Sequence, residues 1–200
     1  MTVAFKLMEL NMKKLLVLIA VLGISVTALA APEIYVIDGS HTMPRFEYNH
    51  FGYSIQLSRF DSTTGKITLD RQAKSGSVEV EILSNSVDTG SAAFNHDIQS
   101  ADFLDTGTYP TINYKSTKVS FSGDVPTSVE GNLTIKGITK PVTLTITSFH
   151  CMTHPMLKKD ACGANATAKI NRSDFNAGKY APYVSDEMTL IFGVESIRQD

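Results

Sequence analysis

Apolar and polar residues alternate one for one along most of the chain after residue 30, and this pattern constrains the fold more than any other feature. The clearest run is Val78, Val80 and Ile82, which alternate with polar residues. Successive side chains of a β-strand point to opposite faces, so such a run predicts a strand with one dry and one solvated face. The alternation likewise places Phe46, Tyr48 and His50 on one strand face, Tyr53, Ile55 and Leu57 on a second, and Val142, Leu144 and Ile146 on a third. Further strands are predicted at 66–70, 111–116, 118–122, 128–135, 164–170 and 189–197.

Turn-forming residues separate these predicted strands. Glycine marks predicted turns at Thr64-Gly65, Ser75-Gly76, Lys136-Gly137 and Ala177-Gly178, and Ser122-Gly123-Asp124 carries the same signal. Many alternating strands joined by short polar turns are typical of a β-sandwich or a closed barrel. The alternation by itself does not choose between the two.

One segment, residues 91–99, breaks the alternation. Phe94 and Ile98 stand four residues apart there, a spacing that puts both on one face of a helix. Thr89 or Ser91 could cap its start. We therefore predict a short helix, which either crosses one mouth of a barrel or serves as a plain connection between strands.

The first 30 residues have the pattern of a secretory signal peptide. Lys13 and Lys14 precede an apolar run of about a dozen residues, and the segment ends in Ala28-Leu29-Ala30. The run is shorter than the roughly 20 residues that span a bilayer, so a membrane-embedded protein is not expected. We predict cleavage after Ala30, a single domain over 31–200, and a periplasmic location.

Two cysteines, Cys151 and Cys162, flank a loop between two predicted strands. In a secreted chain paired cysteines usually oxidise, so we predict a disulfide between them. An alternative stays open, because the loop also carries sulfur and imidazole groups that suit copper(I). These groups are His150, Cys151, Met152, His154 and Met156. A periplasmic copper-binding or stress-response protein is therefore the second functional hypothesis.

The region 96–145 carries the most distinctive motifs. It contains SADF followed by YPTI, the strand end KST, and the double strand GNLTIKGITKPVTL. With Tyr35–Asp38, Ser40-His41 and the RSDF segment at 172–175, these motifs resemble the YceI-like family of bacterial periplasmic proteins. The resemblance covers residues 34–197 and implies an all-β, antiparallel, lipocalin-like barrel that holds a long isoprenoid or fatty tail.

The resemblance therefore implies a carrier of an isoprenoid, quinone-like or fatty amphiphile, with no cofactor and no chemical transformation. We expect the tunnel to be lined by Phe46, Tyr48, Ile55, Val80, Phe94, Ile98, Phe103, Tyr114, Phe121, Leu133, Leu144 and Phe192. A polar headgroup would lie near the mouth, where the candidates are His50, Asn95, His96 and Asp97, followed by Arg172 and Lys179. Each methylene transferred from water into such a barrel contributes about 0.8 kcal/mol.

Several other functions lack their usual signals in the sequence. The formal net charge is −2 and no basic cluster is present, so nucleic acid is not an expected partner. No nucleophile elbow, zinc-protease helix, phosphate loop or dinucleotide fingerprint occurs. A protein that acts chemically on its bound lipid stays open as a third hypothesis, and so does a homodimer.

Overall fold

The computed structural model describes residues 31–199, and the predicted signal peptide at 1–30 lies outside the described residues. Within that part of the chain the secondary structure is almost entirely β. The strands are β1 (Glu33–Ile37), β2 (Arg45–His50), β3 (Ser54–Phe60), β4 (Thr63–Asp70), β5 (Ser75–Leu83), β6 (Val87–Asp88), β7 (Thr111–Ser122), β8 (Val125–Ile135), β9 (Ile138–Thr153), β10 (Asp160–Asn171) and β11 (Glu187–Arg198). The α-helix α1 spans Ala92–Gln99, and short 3₁₀ turns lie at Ser84–Ser86 and Arg172–Phe175.

Eight antiparallel strands close into a barrel in the order β1-β4-β5-β7-β8-β9-β10-β11, with β11 pairing back to β1. The long strand β11 also pairs with β2 nearer its start, where Thr189 faces Glu47. Strand β2 then pairs with β3, and β3 with the short β6. The predicted closed barrel with one short helix is therefore confirmed, and closure leaves the eight strands of the ring without a free edge.

The alternating pattern identified the inward face correctly on most strands. Phe46 and Tyr48 are buried on β2, Ile82 on β5 and Val142 on β9. Strand β7 replaces the two predicted strands at 111–116 and 118–122, with an irregularity in its pairing between Ser116 and Lys118.

On β3 the predicted inward face was wrong. Ile55 lies opposite Asn49, whereas Gln56 lies opposite the buried Tyr48. Residues directly opposite each other share a face, so pairing with β2 turns the apolar residues of β3 outward. Ile55 is 59% exposed, while Phe60 is 7% exposed and faces the interior.

Two predicted turns lie inside strands. Thr64-Gly65 belongs to β4 and Ser75-Gly76 to β5, and the turn that joins these strands spans 71–74. Gly65 is needed because neighbouring atoms approach it closely. A Cβ there would lie 2.3 Å from the carbonyl oxygen of Glu79 and 2.8 Å from Cδ1 of Ile37. A strand glycine marks such an approach as readily as it marks a turn. The predicted turn at Lys136-Gly137 is present, and both residues have positive φ.

The interior contains two groups of packed residues. The larger fills the barrel from its middle to the α1 end and includes Phe46, Phe60, Tyr114 and Phe175. The smaller closes the opposite end around Tyr35, Leu69 and Cys162. The two groups do not fill the barrel completely, and the remaining space, which residues of both groups line, is the candidate site.

Candidate functional site

An apolar cavity of about 530 Å³ runs through the barrel. This volume lies within the roughly 300–1,000 Å³ of pockets that enclose one drug-sized organic molecule. Side chains from most of the strands, from α1 and from the 172–186 segment line it. The cavity reaches the surface at the α1 end, where Phe51, Phe94 and Tyr180 line it and still remain exposed. We call this end the mouth.

Most residues predicted to form the tunnel lie on the cavity wall. They are Phe46, Tyr48, Val80, Phe94, Ile98, Phe103, Tyr114, Leu133, Leu144 and Phe192. Of the predicted headgroup residues, His50, Asp97 and Arg172 also line it. The four-residue spacing puts Phe94 and Ile98 on the same face of α1, and both side chains line the cavity.

Five of the predicted residues do not line the cavity, and one of them is Lys179, which pairs with Asp102. Ile55 points outward because of the β3 register. Phe121 packs at the opposite end of the barrel, against the Tyr35 group. Asn95 accepts hydrogen bonds from the backbone N–H and the hydroxyl of Thr89, both at 2.8 Å, and so holds the start of α1. His96 lies on the exposed face of the same helix.

The sequence analysis missed several residues of the cavity wall. Phe60 was not predicted because the inward face of β3 was assigned wrongly. Phe175 belongs to the RSDF motif, which forms a 3₁₀ turn that buries this side chain. Phe51 and Tyr180 lie in loops, where alternation gives no signal. Both have positive φ, which is uncommon for residues other than glycine and cannot be recognised from residue type.

Polar contacts hold the loops that form the mouth. The Lys136 ammonium donates to the carbonyl oxygens of Ala101 and Asn176, at 2.9 and 2.8 Å. Lys179 pairs with the Asp102 carboxylate. One lysine therefore ties both mouth loops to the β8–β9 hairpin, and the other ties the loops to each other.

Three of the tyrosines that line the cavity are buried, and two of these three have hydrogen-bond partners. The Tyr35 hydroxyl donates to Glu33 at 2.8 Å. The Tyr114 hydroxyl lies 2.9 Å from the carbonyl oxygen of Val129 and 3.0 Å from that of Val142. Burial raises the pKa of each of these two phenols to about 12, with nearby Glu33 and Glu130 adding to the effect. Both hydroxyls therefore stay neutral and are occupied within the wall.

Arg172 is the buried cation of the site. It is 6% exposed, and burial lowers the pKa of its guanidinium. The negative charge of Asp186 acts in the opposite direction and raises that pKa. Its donors all go to backbone oxygens of the mouth loop, those of Ala177, Lys179, Val184 and Ser185. The side chain therefore shapes the 176–186 loop and carries its positive charge to the cavity wall.

The cysteine loop lies at the end of the barrel opposite the mouth. Cys151 and Cys162 form a disulfide between paired residues of β9 and β10, as predicted. Nδ1 of His154 accepts the backbone N–H groups of Met156 and Leu157, at 3.2 and 3.1 Å. Across residues 31–199 no three His, Cys, Asp or Glu side chains are grouped so that they could hold a metal.

Asp38, Ser40 and His41 meet in the turn after β1. The Ser40 hydroxyl donates to one Asp38 oxygen at 2.6 Å, and Nδ1 of His41 lies 2.8 Å from the other. Ser40 Oγ also contacts that same Nδ1, at 3.1 Å. A catalytic triad needs serine and aspartate on different ring nitrogens, so this cluster is a hydrogen-bonded turn.

The described residues therefore form a closed antiparallel barrel of the lipocalin-like class, with an apolar cavity inside and a helix at its mouth. The chain belongs to the YceI-like family, because the family model described as the YceI-like domain matches residues 35–196. A UPF0312 protein of Pseudomonas paraeruginosa is 36% identical over 163 residues, which cover 81% of this chain and 84% of that protein. Protein YceI of Salmonella arizonae is 36% identical over 176 residues, which cover 86% of this chain and 91% of that protein.

Solved structures share the fold. BcnA of Burkholderia cenocepacia superposes with a TM-score of 0.68 at 24% identity, covering 80% of this chain and 98% of that one. A second structure is a polyisoprenoid-binding domain from Saccharophagus degradans, which is implicated in plant cell wall breakdown. It superposes with a TM-score of 0.61 at 16% identity, covering 82% of this chain and 98% of that one. Between residues 31 and 199 no helix is both long enough and apolar enough to span a bilayer.

Proposed function

We propose that this protein is a periplasmic carrier that holds one isoprenoid, quinone-like or fatty amphiphile inside the barrel and does not transform it. The apolar cavity of about 530 Å³ is the observation that carries the proposal. An empty apolar space in a protein interior forfeits packing contacts that a hydrocarbon would restore. The likeness in fold to a domain named for polyisoprenoid binding supports the same class of ligand.

The hydrophobic effect accounts for the binding. Burial of a chain of many methylenes gives a large favourable free energy, at about 0.8 kcal/mol for each methylene. The force has no direction, so the wall selects for length and width rather than for a particular carbon skeleton. Phe94, Asp97 and Ile98 would meet the part of the ligand nearest the mouth, because α1 places them there.

Organic extraction of gently purified protein, followed by mass spectrometry, tests the carrier proposal. We expect one amphiphile per protein molecule, or stoichiometric uptake of an added prenyl lipid by protein that has been stripped. Protein that yields no small molecule and takes up no prenyl lipid would contradict it. Recovery of a chemically altered lipid after incubation would instead support an enzyme that acts on its ligand.

We propose secretion to the periplasm through cleavage after Ala30. The basic, apolar and small-residue order of the first 30 residues supports it, and so does a disulfide, which persists in an oxidising compartment. Intact mass of the protein recovered from a periplasmic extract measures the cleavage point. A mature chain that still begins at Met1 or Met12 would contradict the proposal.

The copper alternative gains no support from the cysteine loop. The disulfide removes both thiolates, and a backbone contact occupies Nδ1 of His154. Thiol titration combined with elemental analysis separates the two hypotheses. Free thiols together with stoichiometric copper would favour the metal, whereas absence of free thiols favours the bridge.

The outward face of the β2–β3 hairpin is a candidate surface for a homodimer. Outward-facing Tyr53, Ile55 and Leu57 of the β2–β3 hairpin are 88%, 59% and 53% exposed, and a contiguous apolar patch often marks an interaction site. Light scattering of the wild type and of Ile55→Lys measures the effect of this surface on mass. An unchanged monomeric mass for both proteins would exclude the dimer.

A further inference from the structure

Tyr48 is a buried residue whose hydroxyl has no hydrogen-bond partner among the described residues. The residue is 7% exposed and lines the cavity, yet within residues 31–199 its hydroxyl makes no hydrogen bond. The other two buried tyrosines of the cavity wall, Tyr35 and Tyr114, both have acceptors. Within residues 31–199, Oγ1 of Thr63 is the one fully enclosed side-chain oxygen that lacks a partner, so the Tyr48 hydroxyl keeps some accessible surface. An unpaired hydroxyl with accessible surface on a residue of the cavity wall is a candidate contact for the ligand.

Tyr48 lies just inside the mouth. It is two residues along β2 from His50, on the same strand face, and His50 contacts the rings of Phe51 and Phe94 at the mouth. Phe46 follows on the same face, deeper in the barrel. A molecule that enters tail first would therefore place its polar end beside Tyr48.

The electrostatics of this position favour an acceptor oxygen. Burial raises the pKa of Tyr48, so the phenol keeps its proton and can donate it. The positive charge of Arg172 acts on Tyr48 across the cavity wall. The Arg172 donors are already bonded to backbone oxygens, so the guanidinium favours negative partial charge nearby without offering a free N–H. One free donor next to a buried cation suits a single polarised oxygen.

We propose that the Tyr48 hydroxyl donates a hydrogen bond to an uncharged carbonyl oxygen at the polar end of the bound amphiphile. This inference rests on the proposed function, since it assumes that the cavity holds such a molecule. A phosphate head is disfavoured, because it carries a charge of about −1.5 to −2 and three acceptor oxygens that need several donors. Tyr48 therefore makes the carrier selective for ketone-like or quinone-like heads over phosphorylated ones.

The test compares three probes that share a prenyl tail: farnesylacetone, the hydrocarbon of the same skeleton without oxygen, and farnesyl phosphate. Each is titrated into stripped wild-type protein, Tyr48→Phe and the matched control Tyr53→Phe, whose side chain is exposed and outside the cavity wall. We expect the wild type to bind the ketone about five- to tenfold more tightly than the hydrocarbon, the value of one buried hydrogen bond, and to bind the phosphate least tightly. Tyr48→Phe should lose the preference for the ketone, and Tyr53→Phe should keep it.

Melting temperatures of the stripped proteins provide a second measurement that does not require a ligand. Loss of an unpaired hydroxyl should leave the melting temperature of Tyr48→Phe equal to or above that of the wild type. Loss of a paired hydroxyl should lower that of Tyr114→Phe.

The outcomes separate the two proposals. If the hydrocarbon binds but the ketone shows no advantage, or Tyr48→Phe keeps that advantage, or the phosphate binds most tightly, the Tyr48 proposal is overturned while the carrier proposal stands. If none of the probes binds, the carrier proposal fails as well.

Discussion

Blocking the cavity from its wall is the most direct perturbation of the proposed carrier. Ala166 lies on β10, is buried and lines the cavity. Its neighbours across the sheet are Ile146 on β9 and Phe192 on β11, which also line the cavity. Replacement of Ala166 by tryptophan would therefore project an indole between these two side chains into the space that a ligand would occupy.

The size of the effect follows from the volume that is lost. An indole in place of a methyl adds about nine heavy atoms, and if these displace about four methylenes of the ligand, the loss at about 0.8 kcal/mol each is roughly 3 kcal/mol. That corresponds to binding weaker by more than about a hundredfold. Overpacking a filled core costs about 1–3 kcal/mol, but here the new side chain enters empty space. We therefore expect Ala166→Trp to remain folded.

The assay is a fluorescence titration with a long-chain polyene fatty acid, cis-parinaric acid. The chain contains no tryptophan, so the introduced indole also reports directly on whether its surroundings are apolar. Thr145→Trp is the matched control, because Thr145 lies on neighbouring β9 but is exposed and absent from the cavity wall. It should bind the probe as the wild type does.

One result would refute this reasoning. If Ala166→Trp folds, shows a buried indole and still binds the probe with wild-type affinity, the ligand does not occupy the barrel interior. Binding would then have to take place on the outside, and the exposed face of Tyr53, Ile55 and Leu57 would be the first surface to test.

Three further changes test individual contacts. A Cβ on Gly131 would lie 2.5 Å from Cζ of Tyr114, so Gly131→Ala should lower the free energy of unfolding by about 2–4 kcal/mol through overpacking and disturbed hydrogen bonds. A wild-type urea midpoint would contradict this. Cys151→Ala with Cys162→Ala should cost up to about 3 kcal/mol, because the unfolded chain regains the entropy of the loop. An unchanged melting temperature would show that the bridge does not stabilise the barrel. Hydrogen bonds from Ser40 and then from the neighbouring histidine lower the pKa of Asp38 to about 2. The resulting stabilisation, below about 1 kcal/mol for a partly exposed group, is complete above about pH 4 and is lost as the pH falls through 2. Asp38→Asn should flatten that part of the stability profile, and an identical slope in both proteins would exclude the effect.

The alternating pattern was enough to predict most of the strands and part of the site. Wherever a strand is buried on one face only, as β5 and β9 are, alternation identified the inward residues, among them Val80 and Leu144. The helix spacing likewise placed Phe94 and Ile98 on one face. These features are local, so residue type and order are enough to predict them.

The face of β3 shows where local pattern fails. Its apolar residues satisfy the alternation equally well on either face, and the register with β2 decides which face is inside. The predicted turn at Gly65 was wrong for the same reason, because a close backbone approach and a turn both require glycine. In each case the deciding contact comes from another strand, so it does not exist until the sheet forms.

The sequence by itself determined that residues after 30 form an antiparallel β-protein with one short helix and that two cysteines flank one loop, because alternation, helix spacing and residue type are local properties. Only the tertiary structure decided that the sheet closes, that an apolar space remains inside it, and that the Tyr48 hydroxyl, near Arg172, has no hydrogen-bond partner within residues 31–199. Closure, cavity volume and hydrogen-bond satisfaction depend on contacts between residues far apart in the chain. Side chains such as Arg172 acquire their role only when the barrel brings those residues together.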